Sequence, residues 1–122
     1  ARTGRCRYAS AGHNPALVVR AGGTVEQLPR TGPLIGLADG PRPTARTTLG
    51  PGDLLVAYTD GVVEARDDAG GQWQLDGLGP ALLDCRTEHP AKIVEVVLAD
   101  VLSHCGGRCT DDATVVVVRF DG

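Results

Sequence analysis

Two aspartates stand at the ends of the two most apolar runs of the sequence, where they could hold a metal ion together. Asp60 follows the run at 54–59, and Asp111 begins the run at 111–118. If the run ends meet, two carboxylates about 4 Å apart would repel by roughly 4 kcal/mol at an effective dielectric constant of about 20. A hard cation such as Mg²⁺ or Mn²⁺, which prefers oxygen ligands, would relieve that repulsion. The pattern therefore suggests a metal site.

The elements that would position these aspartates can be predicted from the same pattern. Continuous Leu and Val runs bounded by turn residues are typical of strands buried on both faces, which hold their end residues rigidly. Residues 62–66 fit either a short helix or a return strand. Further strands are predicted at 5–11, 16–20, 25–28 and 44–49, with the first two forming a hairpin, and helices at 75–85 and 90–104. Strands, then two helices, then a final strand predict a single α+β domain over residues 1–122, with antiparallel sheet covered by helices.

Each aspartate also has a simpler interpretation when taken alone. Asp60-Gly61 between apolar runs is a strong hairpin-turn signal. Asp111 and Asp112 could be solvated loop residues, or charges that guard a strand against edge pairing. His13 is interpreted as part of a tight turn, and the 32–36 loop lacks the Gly-Lys-Ser/Thr that a phosphate-binding P-loop requires.

The four cysteines raise the question of a zinc site. Cys85 with His89, and Cys105 with Cys109, have spacings that imitate zinc ligand pairs. The amphipathic helix predicted between the pairs would hold them roughly 20 Å apart at a rise of about 1.5 Å per residue. Reduced thiols are therefore the preferred interpretation. A Cys105–Cys109 disulfide stays open as an alternative, although nothing in the sequence favours it.

Composition and charge exclude several classes of function. The formal net charge of −3 is unevenly distributed. Residues 1–50 are basic, with seven arginines against Glu26 and Asp39, whereas residues 51–122 are acidic and contain both proposed ligands. Basic residues are scattered and lack interleaved aromatics, so nucleic-acid binding is not expected. No apolar stretch approaches the length of a membrane span and no signal peptide is recognisable, which predicts a cytoplasmic protein without membrane contact. The sequence contains no methionine and begins Ala1-Arg2-Thr3, so it is interpreted as a piece of a longer polypeptide.

Several segments, read together and in order, resemble one protein family. The matching segments are residues 8–17, 32–36, 51–53, 58–65 (Tyr-Thr-Asp-Gly-Val-Val-Glu-Ala) and 111–114 (Asp-Asp-Ala-Thr). They resemble the PPM-type (type 2C) metal-dependent serine/threonine phosphatases, in the bacterial branch of the sporulation stage II protein E and RsbU-like regulators. The resemblance covers nearly the whole chain, from about Tyr8 to Phe120.

The resemblance implies an αββα sandwich with two Mg²⁺ or Mn²⁺ ions at one edge of the sheets. It also implies that a metal-bridged water would attack phosphoserine or phosphothreonine, so that no side chain would act as a catalytic nucleophile. On the matching motifs, Asp60 and Asp111 correspond to metal ligands. Asp112 and Gly61 correspond to positions beside the ligands, and Glu64 to a structural position.

One departure from the family limits what the chain can do by itself. The family's metal site also uses acidic residues from an earlier stretch, including an Asp-Val-x-Gly-His-Gly motif that bridges both ions, and nothing in this sequence matches it. Two cations about 3.5–4 Å apart need more ligands than Asp60 and Asp111 supply. The chain thus resembles the C-terminal half of an incomplete domain, and we expect it to be inactive alone.

Two functions are consistent with this sequence. The first, which the resemblance implies, is a protein phosphatase in bacterial signal transduction, with a phosphorylated anti-anti-sigma-type regulator as its partner and substrate. The alternative is a truncated or degenerate phosphatase-like module that binds a partner without catalysis. In either case, strands left uncovered by a missing half predict self-association of the chain.

Overall fold

The computed structural model describes residues 4–8, 15–29, 45–67, 69, 71–107 and 112–121. Within them five short strands are followed by three helices and a final strand, in the predicted order. The elements are β1 (Arg5–Tyr8), β2 (Leu17–Val19), β3 (Val25–Gln27), β4 (Ala45–Thr48), β5 (Leu54–Tyr58), α1 (Asp60–Val63), α2 (Gln74–Cys85), α3 (Pro90–His104) and β6 (Val115–Arg119). The ambiguous segment 62–66 shows both features: α1 ends at Val63, and Arg66 forms an isolated antiparallel bridge with Gln72.

The strands form two antiparallel sheets. The larger sheet has the order β3-β2-β5-β6, and the smaller one pairs β1 with β4. In the larger sheet, Val56 of β5 lies between Leu17 of β2 and Val117 of β6. The two apolar runs singled out in the sequence are thus neighbouring strands.

The predicted hairpin between the first two strands is wrong. β1 pairs with β4, while β2 pairs with β3 and β5. All three residues of β2, Leu17, Val18 and Val19, are buried, so this strand needs cover on both faces and a partner on both edges. β1 alternates exposed arginines with the half-buried Cys6, a pattern that suits a strand with one solvated face.

Helices cover one face of the larger sheet. Ile93, Val97 and Val101 recur at every fourth position of α3 and are fully buried against the sheet with Leu78 and Leu82 of α2. Pro90 begins α3, where its missing N–H costs nothing, and the His89 ring Nδ1 accepts a hydrogen bond from the Ala91 amide at 3.1 Å. The predicted helices are confirmed.

The opposite face of the larger sheet is only partly covered. Val18, Leu28 and Leu49 are buried there, and the half-buried Cys6 of the smaller sheet packs against them, so the smaller sheet lies over this face. Val116 and Val118 lie on the same face at the β6 edge and are 53% and 50% exposed. The described residues thus form a helix layer followed by two sheets, an α+β arrangement of antiparallel sheets and helices.

The cysteines differ in part from the prediction. Cys6 and Cys85 are free thiols, as predicted, but Cys105 is disulfide-bonded. Cys109 lies outside the described residues. The preference for thiols was wrong at Cys105, because disulfide pairing depends on how the chain turns after α3, which the spacing alone does not determine.

No helix within the described ranges has the length and apolar character needed to cross a membrane.

Candidate metal-binding edge of the sheet

The ends of β5 and β6 are held together by Thr59. Its amide donates a hydrogen bond to the Thr114 carbonyl oxygen at 3.1 Å, which continues the pairing of the two strands. Its hydroxyl accepts a hydrogen bond from the Thr114 amide at 2.9 Å and donates one to the Asp112 carbonyl oxygen at 3.4 Å. The segment before β6 is therefore fixed to the residue that immediately precedes Asp60.

Gly61 brings the same two segments into direct contact. It is buried, and a Cβ atom at this position would overlap the carbonyl group of Asp112. The next residue, Val62, is fully buried in the main core and so anchors α1 to it. Only a residue without a side chain permits this approach of α1 to the segment before β6.

Three of the four residues predicted for the site therefore lie at one edge of the sheet. Asp60 begins α1, Gly61 follows it, and Asp112 lies across from Gly61. Both aspartates are exposed. Asp111, the second predicted ligand, lies outside the described residues, directly before Asp112 in the chain.

The simpler interpretation of Asp60-Gly61 as a hairpin turn does not describe this edge. The chain passes from β5 into α1, and the Glu64 amide donates a hydrogen bond to the Asp60 carbonyl oxygen at 2.8 Å. Glu64 ends the helix with an exposed side chain. It lines a shallow cavity of about 410 Å³ beside α1 with Tyr58, Gln72 and Asp76.

The donor set at this edge is suited to a hard cation but is incomplete. Carboxylate oxygens are the ligands that Mg²⁺ and Mn²⁺ prefer. Among the described residues, however, no three His, Cys, Asp or Glu side chains lie close enough together to hold an ion. The described residues alone do not fit a complete metal centre.

The zinc alternative does not agree with the positions of its proposed ligands. Cys85 is buried at the end of α2, and His89 uses its ring nitrogen to cap α3. Cys105 is disulfide-bonded at the far end of α3. Burial raises the pKa of the Cys85 thiol, which disfavours the thiolate that zinc binds.

Sequence reasoning missed an ion pair between the buried Asp53 and the partly exposed Arg20 at the opposite end of β5. Asp53 accepts hydrogen bonds from the amides of Ala21 and Gly50, each at 2.8 Å, and from the Arg20 guanidinium at 2.9 Å. Burial raises the pKa of the Asp53 carboxyl, but these hydrogen bonds and the Arg20 charge outweigh it and hold the pKa below its usual value. Arg20 also pairs with the half-exposed Glu26. Because Asp53 binds Ala21, Gly50 and Arg20 at once, it fixes the turn that leads into β5.

Sequence reasoning also missed Thr59. The available signal was a hydroxyl residue between a buried strand and Asp-Gly, since such a side chain can hydrogen-bond to nearby main chain. The partner segment, 55 positions later in the chain, could not be identified from that signal alone.

Comparison with known proteins extends to nearly the whole chain. The family model for stage II sporulation protein E (SpoIIE) matches residues 1–121. Protein IcfG of Synechocystis is 29% identical over 120 residues, which cover 94% of this chain and 18% of IcfG. This chain therefore spans less than a fifth of that relative's length.

Two solved structures show the same fold. The phosphatase domain of SpoIIE from Bacillus subtilis, from a Mn-presoaked preparation, superposes with a TM-score of 0.76 at 25% identity, covering 96% of this chain and 51% of that one. The SiaA-PP2C domain of Pseudomonas aeruginosa superposes with a TM-score of 0.82 at 22% identity, covering 98% of this chain and 48% of that one. The chain spans about half of each solved domain.

Proposed function

Since the chain belongs to the SpoIIE family, whose solved members include PP2C-type phosphatase domains, we propose that it is the C-terminal part of a metal-dependent protein serine/threonine phosphatase domain. Its substrate class is phosphoserine or phosphothreonine on a regulatory protein, and an anti-anti-sigma-type regulator is the specific candidate. The match to about half of each solved domain supports the idea that further parts complete the site.

The observation that carries the proposal is the contact between the end of β5 and the segment before β6. Thr59 and Gly61 fix the main chain of Asp60 against that of Asp112, two residues that the sequence motifs single out. We propose that Asp60 and Asp111 each contribute a carboxylate oxygen to Mn²⁺ or Mg²⁺. Gly61 and Asp112 hold the two ligand segments in register, and donors outside the described residues complete the site.

Metal binding by the chain tests this assignment without requiring activity. Titration with Mn²⁺, followed by electron paramagnetic resonance of the free ion, should give weak binding with a Kd on the order of 10⁻⁴ to 10⁻³ M, the range of the weakest oxygen-ligand Ca²⁺ sites, because few carboxylates are available. Asp60→Asn and Asp111→Asn should each abolish it, because a neutral amide is a poorer ligand than a carboxylate.

Asp84→Asn is the matched control. Asp84 is an exposed aspartate near the end of α2, away from the β5–β6 edge, so its substitution makes the same charge change without touching the proposed ligands. Equal losses for Asp84→Asn and Asp60→Asn would mean that the ion responds only to net charge, which would refute the assignment.

Turnover by the chain tests the incompleteness of the site. Incubated with Mn²⁺ and a phosphoserine peptide, the chain should release negligible phosphate, because two carboxylates cannot position two ions. Robust release that is lost in Asp60→Asn would show instead that the chain carries a complete centre.

A second function is consistent with the lack of an Asp-Val-x-Gly-His-Gly type motif in residues 1–122. On this alternative the chain is a phosphatase-like module that binds a partner without catalysis. The residues that precede Ala1 in the parent polypeptide discriminate between the two. An Asp-Val-x-Gly-His-Gly type motif there supports the enzyme, and its absence supports the binding module.

A further inference from the structure

The outer face of the smaller sheet carries three arginines in a compact group. Arg5 and Arg7 alternate with Cys6 along β1, so they share the face that points away from the larger sheet. Arg46 and Thr48 of β4 lie opposite Arg7 and Arg5 in the antiparallel register. All four residues are exposed. We call these four residues the arginine face.

Two of these arginines are direct cross-strand partners. Arg7 pairs with Arg46, which places their Cβ atoms about 4.5–5.5 Å apart on one face. Like charges directly opposite each other destabilise a sheet. An anion that lies between the two guanidinium groups would turn this repulsion into attraction, because each group can donate two parallel hydrogen bonds to one carboxylate.

Among the described residues, the arginines of the arginine face lack the side-chain partners that other arginines of the chain have. Arg20 pairs with Glu26 and Asp53, and Arg86 and Arg119 donate to main-chain carbonyl oxygens. Within the described ranges, Arg5, Arg7 and Arg46 form no ion pair. They also line one open cavity of about 360 Å³, together with Cys6, Thr47 and Thr48.

We propose that the arginine face binds an acidic polypeptide segment of a partner protein. Three cations on one small sheet face, without an ion pair among the described residues, are complementary to a run of carboxylates. The face has no aromatic side chain on which a base could stack, which argues against a nucleic acid. The inference goes beyond the proposed phosphatase function, since this binding needs neither metal nor turnover.

Fluorescence anisotropy with a labelled Glu-rich peptide tests the proposal on the 122-residue chain. The chain should bind the peptide at low salt and lose it as salt screens the charges. Arg7→Gln/Arg46→Gln should weaken binding about tenfold, the sum of two exposed charge pairs. Thermal melting should show that this variant is folded and at least as stable, because the repulsion between the two arginines is gone.

The matched control removes two positive charges elsewhere. Arg66→Gln/Lys92→Gln changes exposed residues of the acidic part of the chain and should leave the peptide affinity unchanged. Equal weakening by the control would overturn the proposal, because net charge alone would explain the binding. Tighter binding of a single-stranded oligonucleotide than of the peptide would also overturn it. So would a loss of self-association in Arg7→Gln/Arg46→Gln, since the occupant would then be a second copy of the chain.

Discussion

Gly61 lies against the main-chain carbonyl of Asp112 so closely that no side chain fits between them. The two segments that carry the proposed metal ligands are therefore held in place by main-chain packing and by the Thr59 hydrogen bonds. This arrangement does not depend on the charged groups themselves. The edge can thus keep its geometry whether or not an ion is bound.

Gly61→Ala should separate these segments and destabilise the chain. The new methyl group would overlap the Asp112 carbonyl, so we expect a loss of about 1–3 kcal/mol in the free energy of unfolding, the usual cost of overpacking. Helix propensity alone favours Ala over Gly by up to about 1 kcal/mol, so a net loss reports the collision. Urea denaturation measures the loss, and the Mn²⁺ titration should show weaker binding.

Gly22→Ala is the control for this prediction. Gly22 is an exposed turn residue, and an added Cβ would meet no atom within 4 Å. Its substitution should change the free energy of unfolding by no more than about 0.5 kcal/mol. If Gly61→Ala is as harmless as Gly22→Ala, the close approach does not fix this edge.

Asp53→Asn should destabilise the chain in a pH-dependent way. At neutral pH it leaves the Arg20 guanidinium without its buried carboxylate, and we expect a loss of about 2–3 kcal/mol. The folded pKa of Asp53 lies below its unfolded value, so the carboxylate's contribution is complete above pH about 4. It is lost as the pH falls through the folded pKa, and the difference between wild type and variant should shrink accordingly.

Urea denaturation at a series of pH values measures this effect, with Glu26→Gln as the control. Glu26 makes the second ion pair of Arg20, but its side chain is 50% exposed, so its loss should cost about 0.5 kcal/mol. A stability difference for Asp53→Asn that stays constant down to pH 2 would contradict the assigned pKa direction.

The sequence was most informative where one local pattern determined the outcome. The every-fourth-residue apolar pattern around Ile93 and Val97 predicted α3, and the apolar runs predicted β5 and β6. Strand partners were harder, because the pairing of β1 with β4 rather than β2 depends on which strands need cover on both faces. At the site, Asp60 and Gly61 could be chosen from the motif. The contacts of Thr59 and the Asp53–Arg20 pair could not, since they join residues more than 30 positions apart.

The chain should self-associate through the β6 side of the larger sheet. Within the described residues β6 is an edge strand, and Val116 and Val118 expose half of their surface beside it. Such an edge can pair with a second copy. Light scattering should show association that rises with concentration, and Val116→Thr/Val118→Thr should reduce it while preserving strand propensity.

Leu102→Gln provides the comparison for this test. Leu102 is 52% exposed on α3, so the substitution removes a similar apolar surface at a site away from strand β6. It should leave the association unchanged. A monomer at all concentrations, or equal effects of the two variants, would contradict an interface at β6.

Thiol labelling should distinguish the three cysteines whose states are described. Cys6 is a half-buried free thiol and should react with iodoacetamide in the folded chain. Cys85 should react much more slowly, because burial blocks access and raises the pKa of its thiol, which lowers the thiolate fraction. Cys105 should stay unlabelled until a reductant is added, since it is disulfide-bonded. Peptide mass spectrometry assigns each label, and unfolding in urea serves as the control, because Cys6 and Cys85 should then react at similar rates. Rapid labelling of Cys105 without reductant would restore the interpretation that all four cysteines are thiols.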